Sequence, residues 1–195
     1  MKDTWNKKVK VNNQAVPKKR VRDYYKRLWN KDPNFRENLR KKGLFIRAMY
    51  NGKPTIVRKG IKIQDWADLE KLIRDHAVEV HLPVKQYDYV SYIDVDMPPR
   101  YVKNRKQLGK SLVNRLKKKG VKVALVTDSP SGVHIFSNTK KAELKNALKE
   151  IASEDKRFAV TRSSKTKIAL DPTEPNTAVP GSLSCKGKPY WKWKK

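Results

Sequence analysis

Acidic residues are scarce in this chain. Asp and Glu number 19 against 47 Lys and Arg, a formal net charge of +28 over 195 residues. A field of that sign attracts polyanions, and nucleic acid is the obvious one. Cysteine is nearly absent. The single Cys185 excludes an internal disulfide and any cysteine-rich zinc module. Long apolar runs are missing too. No segment approaches the roughly 20 apolar residues of a spanning helix, which weakens anionic membrane as the rival partner. Met1 to Lys8 lack the apolar run of a signal peptide. The expectation is an intracellular protein with no membrane association. Hydrophobic residues make up 37%, below the usual globular share, so the core should be modest. No internal repeat or extended low-complexity stretch is present.

What is there reads as a basic arm over residues 1–20 and one folded domain over 21–195. The arm carries Lys7-Lys8-Val9-Lys10 and leads into Lys18-Lys19-Arg20-Val21-Arg22. Val21, Tyr24, Tyr25, Leu28 and Trp29 recur at helical spacing until Asp32-Pro33 interrupts them. Core packing explains these aromatics better than base stacking on Trp29. Two apolar stretches, 44–50 and 55–58, flank Asn51-Gly52-Lys53-Pro54, a hairpin signal. An amphipathic helix over 64–73 follows, then an apolar strand at 77–82. Further helices are expected over 102–119, stopped by Gly120, and over 140–153. Strands are expected at 121–127, 133–136 and 166–171.

Against this basic background, one apolar run ends in two aspartates, Tyr92-Ile93-Asp94-Val95-Asp96. On a strand, residues i and i+2 point to the same face. Both carboxylates therefore project together, just before Met97-Pro98-Pro99 stops the ladder. Like charges so close repel unless a cation lies between them. Hard oxygen ligands suit Mg²⁺ or Mn²⁺. Asp171 ends another apolar run before a proline. Three carboxylates from two strand ends could hold one or two metal ions, as phosphoryl or nucleotidyl transfer requires. The plainer explanation of Asp171 is an aspartate capping a turn.

Ser131-Gly132-Val133-His134 is the second element. A Ser-Gly turn with free N–H groups makes an anion nest. Alternation sends Val133 to the core and His134 to the other face, where it could donate to a phosphate oxygen. His76 and His81 take the structural reading. The tail, Ala178 to Lys188, offers glycines, hydroxyls and lysines to a triphosphate without being a Walker-type loop. Its end, Tyr190-Trp191-Lys192-Trp193-Lys194-Lys195, interleaves aromatics with lysines, a pattern that stacks bases or docks on a core.

In this order, Ile93-Asp94-Val95-Asp96, Ser131-Gly132-Val133-His134 and Leu170-Asp171 resemble the three motifs of the archaeo-eukaryotic primase superfamily. Val179-Pro180-Gly181-Ser182-Leu183 resembles a segment of archaeal primase small subunits, with Ser184 where those carry histidine. The stretch from Asp68 to His81, and the prolines after Asp96, are similar to the polymerase domain of bacterial end-joining ligases. The resemblance covers roughly residues 40–190. It implies an α+β fold, with an RRM-like antiparallel sheet packed with helices plus a second small α/β unit. It implies a template-dependent nucleotidyltransferase, a minimal DNA primase or primase-polymerase, working on single-stranded or primer–template DNA with nucleoside triphosphates. Asp94, Asp96 and Asp171 would be the catalytic metal ligands for Mg²⁺ or Mn²⁺. Ser131, Gly132 and His134 would bind nucleotide, with Arg162, Lys167, Ser182 and Lys186 as further phosphate contacts. Lys18, Lys19, Arg20 and Arg22 would bind nucleic acid. A large primase subunit or other replication and repair proteins are the implied partners, and the cytoplasm, at the nucleoid or site of replication, the implied location. The chain is shorter than typical small subunits and lacks their zinc knuckle.

Two alternatives stand beside this reading. One is an end-joining or gap-filling repair polymerase, whose recessed 5′-phosphate pocket the stretch Lys18 to Arg22 could supply. The other is a non-catalytic nucleic-acid binder, in which charge does everything and the carboxylates are structural.

Overall fold

A computed structural model describes residues 8–11, 14–50, 53–75, 79–83, 86–173 and 176–183. The chain divides into two units, residues 1–86 with 176–190, and residues 87–175 with 191–195.

In the first unit, strands β1 (Lys8–Val11) and β2 (Gln14–Pro17) form an antiparallel ribbon within the expected arm. Helix α1 (Lys18–Lys31) starts immediately after it. The interruption at Asp32-Pro33 has a defined form. Asp32 is the N-cap of α2 (Pro33–Arg40), its carboxylate accepting from the Phe35 N–H at 3.2 Å, with proline at the first helical position where no N–H is needed. Tyr25 and Phe35 stack at 6.1 Å and are fully buried, and Trp29 meets the edge of Trp66 at 6.4 Å. Tyr25 and Trp29 are thus core residues, while Tyr24 is half-buried. Strands β3 (Leu44–Tyr50) and β4 (Lys53–Ile61) pair antiparallel, with Tyr50 opposite Lys53. The Asn51-Gly52 corner itself lies outside the described residues. Helix α3 is Trp66–Asp75. Strand β5 (Glu79–Pro83) completes a four-stranded sheet of order β11-β5-β3-β4, where β11 is the distant Asn176–Ala178.

The second unit is built on a five-stranded sheet of order β7-β8-β6-β10-β9. Its strands are β6 (Ser91–Asp96), β7 (Val123–Asp128), β8 (Gly132–Ser137), β9 (Phe158–Ala159) and β10 (Ile168–Asp171). All pairings are antiparallel except β9 with β10. The helix expected over 102–119 is divided. Helix α4 (Pro99–Val102) is a single turn, and α5 (Arg105–Lys118) begins after a break at Lys103-Asn104. Gly120, at φ 79°, ends that helical region as expected. Helix α6 is Lys141–Glu154.

Alternation divides the sheet into two chemically different faces. Ile93 and Val95 on β6, Val133 and Ile135 on β8, and Ile168 and Leu170 on β10 share a core with Leu112 and Leu116 of α5 and Leu144, Leu148 and Ile151 of α6. Truncating one such leucine to alanine removes about 2–5 kcal/mol. The intervening residues, Tyr92, Asp94, Asp96, His134, Phe136 and Asp171, share the other face.

Candidate functional site

The register of the second unit's sheet assembles the site. Asp94 faces His134 on β8 and Asp171 on β10, while Asp96 faces Gly132 and Ala169. Directly opposed residues in an antiparallel pair point to one face. Asp94, Asp96, Asp171 and His134 therefore share a face, although Asp171 lies 75 residues beyond Asp96 in the chain. Thr127 of β7 extends the row by facing His134. Ile93 and Val95 are fully buried on the opposite face, and Asp94 and Asp96 are half-buried.

Each carboxylate has its own partner. His134 Nε2 lies 3.4 Å from Asp94 Oδ1, and the imidazole meets the Tyr92 ring edge-on at 5.5 Å. Ser131 Oγ donates to Asp96 Oδ1 at 2.5 Å. Asp171 Oδ1 accepts from the Thr173 N–H at 2.8 Å and from the Thr173 hydroxyl at 2.6 Å, spanning Pro172 as an Asx-type turn. The capping role expected of a strand-end aspartate is thus real, and it coexists with the register that faces Asp171 to Asp94. Among the described residues, no three of His, Cys, Asp and Glu are gathered into a ready-made cation cage. The donor set itself, all carboxylate oxygen, has the chemistry that suits Mg²⁺ or Mn²⁺.

Gly132 has a stricter role than a flexible turn. A Cβ there would sit 1.8 Å from the Val95 carbonyl oxygen and 2.9 Å from its carbon. Only glycine lets β8 approach β6 this closely beside the carboxylates. The turn before it is tied down on both sides. The Ser129 N–H donates to the Gly132 carbonyl at 3.0 Å, and the Met97 N–H to the Ser131 carbonyl at 2.9 Å.

The other expected contacts are not part of this sheet register. Ser182 belongs to the first unit and is fully buried, its Oγ 3.5 Å from the Val80 carbonyl. That is a hydroxyl turned into a core, not one presented to solvent. Arg162 and Lys167 are exposed in the second unit. Lys186, Cys185, His76 and the aromatic–lysine terminus lie outside the described residues. Lys18, Lys19, Arg20 and Arg22 open helix α1. Arg20 lines a cleft of about 400 Å³ with Asp23, Lys26, Arg27 and Asn30. Arg22 is already engaged, its Nε donating to Glu70 at 2.5 Å. His81 is buried in the first unit, 3.1 Å from Glu79 and 3.5 Å from Arg47.

The sequence reading missed Thr173, Tyr92 and Thr127 around these carboxylates. Tyr92 was findable, since it precedes Asp94 by two on an expected strand. Asp171-Pro172-Thr173 carries an Asx-turn signal that was read only in part. Thr127 is brought in by strand pairing alone.

The α+β scaffold that carries this carboxylate face is similar in fold to a solved polymerase domain. The likeness is to the polymerase domain of Mycobacterium tuberculosis Ligase D in complex with DNA. The TM-score is 0.71, with 97% of this chain and 85% of that chain covered, at 13% identity. At that identity the likeness is one of fold. No family model and no curated protein matches the chain. No helix among the described residues is long and apolar enough to cross a membrane.

Proposed function

We propose that the chain is a template-dependent nucleotidyltransferase, a minimal primase-polymerase. The observation that supports this most is the antiparallel register that puts Asp94, Asp96, Asp171 and His134 on one face, with the Ser131–Gly132 turn at its end. Asp94, Asp96 and Asp171 would hold Mg²⁺ or Mn²⁺. Bound there, one or two such ions would activate the attacking hydroxyl and neutralise the triphosphate and leaving pyrophosphate. The protein's own groups do the rest. Ser131 and His134 hold Asp96 and Asp94 in place before substrate arrives. The imidazole would also donate to an oxygen of an incoming triphosphate. Backbone N–H groups of the Ser131–Gly132 turn would receive phosphate oxygens as an anion nest.

Ser182 supports no triphosphate contact in its buried position, so that part of the resemblance-based assignment is set aside. Arg162 remains a candidate phosphate contact, as does Lys186. The +28 charge supplies the grip on a nucleic-acid template.

A second reading, end joining or gap filling, is favoured by the likeness to the Ligase D polymerase domain and by the basic cleft around Arg20. The deciding experiment offers labelled nucleotides with unprimed, primed and short-gap DNA. Synthesis on the unprimed template supports the primase reading. Strong preference for a gap bearing a 5′-phosphate, lost in Lys19→Gln/Arg20→Gln, supports the repair reading. Tight DNA binding without incorporation on any substrate would leave a non-catalytic binder.

A further inference from the structure

A second basic cleft lies beyond the Asp96 end of the sheet. It measures about 320 Å³ and is lined by Arg100, Tyr101, Asp155, Lys156, Arg157 and Lys167, with Thr166. Its walls come from three places in the chain. Arg100 is on α4, directly after the Met97-Pro98 segment that leaves Asp96. Lys156 and Arg157 follow α6, and Thr166 and Lys167 run into β10. Because Ala169 is opposite Asp96 in the β6–β10 pairing, Lys167 lies past Asp96 on the β10 side. The Ser131–Gly132 turn flanks the same strand end on the β8 side.

The cleft's charge is not spent internally. Asp155 is its one acid. The Arg157 guanidinium accounts for most of its neutralisation, through Nε at 3.0 Å and Nη2 at 2.8 Å, and Arg115 adds a bond at 2.8 Å. Those bonds hold the Asp155 carboxyl well below the usual carboxylate range. Arg100 braces the cleft, donating to the Thr166 carbonyl and lying over the Tyr101 ring at 4.8 Å. Lys156 and Lys167 are exposed and make no ion pair among the described residues. The lining therefore leaves two uncommitted ammonium groups beside two anchored guanidinium groups.

We infer that this Arg100–Lys156–Lys167 cleft is a seat for the sugar–phosphate backbone of the nucleic-acid strand beside the carboxylate site. The inference rests on the proposed polymerase reading and adds a contact surface to it. The chemistry selects backbone over base or mononucleotide. The aromatic face in the cleft, Tyr101, is already covered by Arg100, so no stacking platform is free for a base. The free groups are lysines, which bind phosphate as point charges, and most polar contacts to a polynucleotide fall on its phosphates and sugars. The resemblance assigns Lys167 to the triphosphate; the cleft assigns it to the polynucleotide.

The test is binding of a fluorescent single-stranded oligonucleotide by the full chain, without nucleotide, over a salt series. Lys156→Gln/Lys167→Gln is compared with Lys145→Gln/Lys149→Gln, an equal charge change on the exposed side of α6. The cleft variant should flatten the log–log salt slope by about 1.4, two contacts at ~0.7 each for a single strand, and the control should not. Equal slopes for both variants, or no binding by the wild-type chain, would overturn the inference. Thermal unfolding of all three proteins should coincide, because both pairs are exposed. Measuring nucleotide incorporation by the wild-type chain separates the two levels of the argument. If wild type incorporates nucleotide but the cleft slope is unchanged, the cleft assignment fails alone. If the slope drops as expected but the wild-type chain incorporates no nucleotide, the polymerase reading fails and the phosphate seat remains.

Discussion

Strands β5 and β6 each carry polar groups at i and i+2 among aliphatic side chains, and each brings a carboxylate to a histidine. On β5 the pair is Glu79 with His81, 3.1 Å apart, with the two side chains 4% and 6% exposed. On β6 the pair is Asp94 with His134 of the neighbouring strand, 3.4 Å apart, and the Asp94 side chain is 26% exposed. The first pair is closed in by its own sheet, where Arg47 reaches His81. The second sits beside two more carboxylates, a hydroxyl and a strand-end turn. A carboxylate–imidazole pair is thus not a site in itself. What distinguishes β6 is access, together with a register that adds further oxygen ligands to the same face.

The largest expected effect tests the open side of this comparison. Asp96→Ala removes a half-exposed carboxylate whose described bond is with Ser131, so the fold should persist. Nucleotide incorporation should drop by more than about 10³-fold, the scale of losing a group that stabilises transition-state charge. Near wild-type incorporation would remove Asp96 from the chemistry.

The two histidines should then fail in opposite ways. His81→Ala leaves Glu79 short of its buried partner and should lower stability by about 3 kcal/mol in denaturant unfolding. His134→Ala should weaken nucleotide binding by about 1.5–3 kcal/mol, the value of a hydrogen bond to a charged group, with little change in DNA affinity. A stable His81→Ala protein with collapsed turnover would break the comparison.

Gly132→Ala is smaller in chemistry but sharper in geometry. Its methyl group meets the Val95 carbonyl, so β6 and β8 must separate beside Asp94 and Asp96. A loss of about 1–3 kcal/mol is expected from such overpacking, with incorporation reduced as well. Unchanged stability would mean that the strands are not as close as described.

The alternation on β6 was fully legible, because Ile93 and Val95 identify the buried face and so fix where Asp94 and Asp96 point. The opposition of Asp171 to Asp94 was not legible, since period-two patterns say which face a residue takes and nothing about which strand lies alongside. The Lys103-Asn104 break was hidden for a related reason. Val102, Leu108, Leu112 and Leu116 keep a helical period across it, and no proline or glycine marks the interruption. Strand β9, two residues long, is too short to carry a period at all. Ser182 misled because a hydroxyl between glycine and leucine reads as a loop contact, whereas the chain around it folds onto β5, with the Val179 N–H donating to the Val80 carbonyl at 2.8 Å.

The smallest effect is on pH dependence. Hydrogen bonds from Arg157 and Arg115 depress the Asp155 carboxyl. A carboxyl whose folded pKa is lowered contributes stability above its unfolded value, roughly 4, and loses it as pH falls toward the folded value. Asp155→Asn should therefore flatten the acid side of the stability profile while leaving its neutral region nearly level. An acid limb of unchanged steepness would assign the dependence to other carboxylates.

The central claim is that the carboxylate face of the second unit carries out templated nucleotidyl transfer. Its most direct test is single-nucleotide incorporation by the wild-type chain opposite each of the four templating bases, with Mg²⁺ or Mn²⁺ and then with excess chelator. The account predicts that the inserted nucleotide follows the templating base and that chelation abolishes insertion while DNA remains bound. Incorporation that ignores the template, or none at all from a chain that binds DNA tightly, would contradict it.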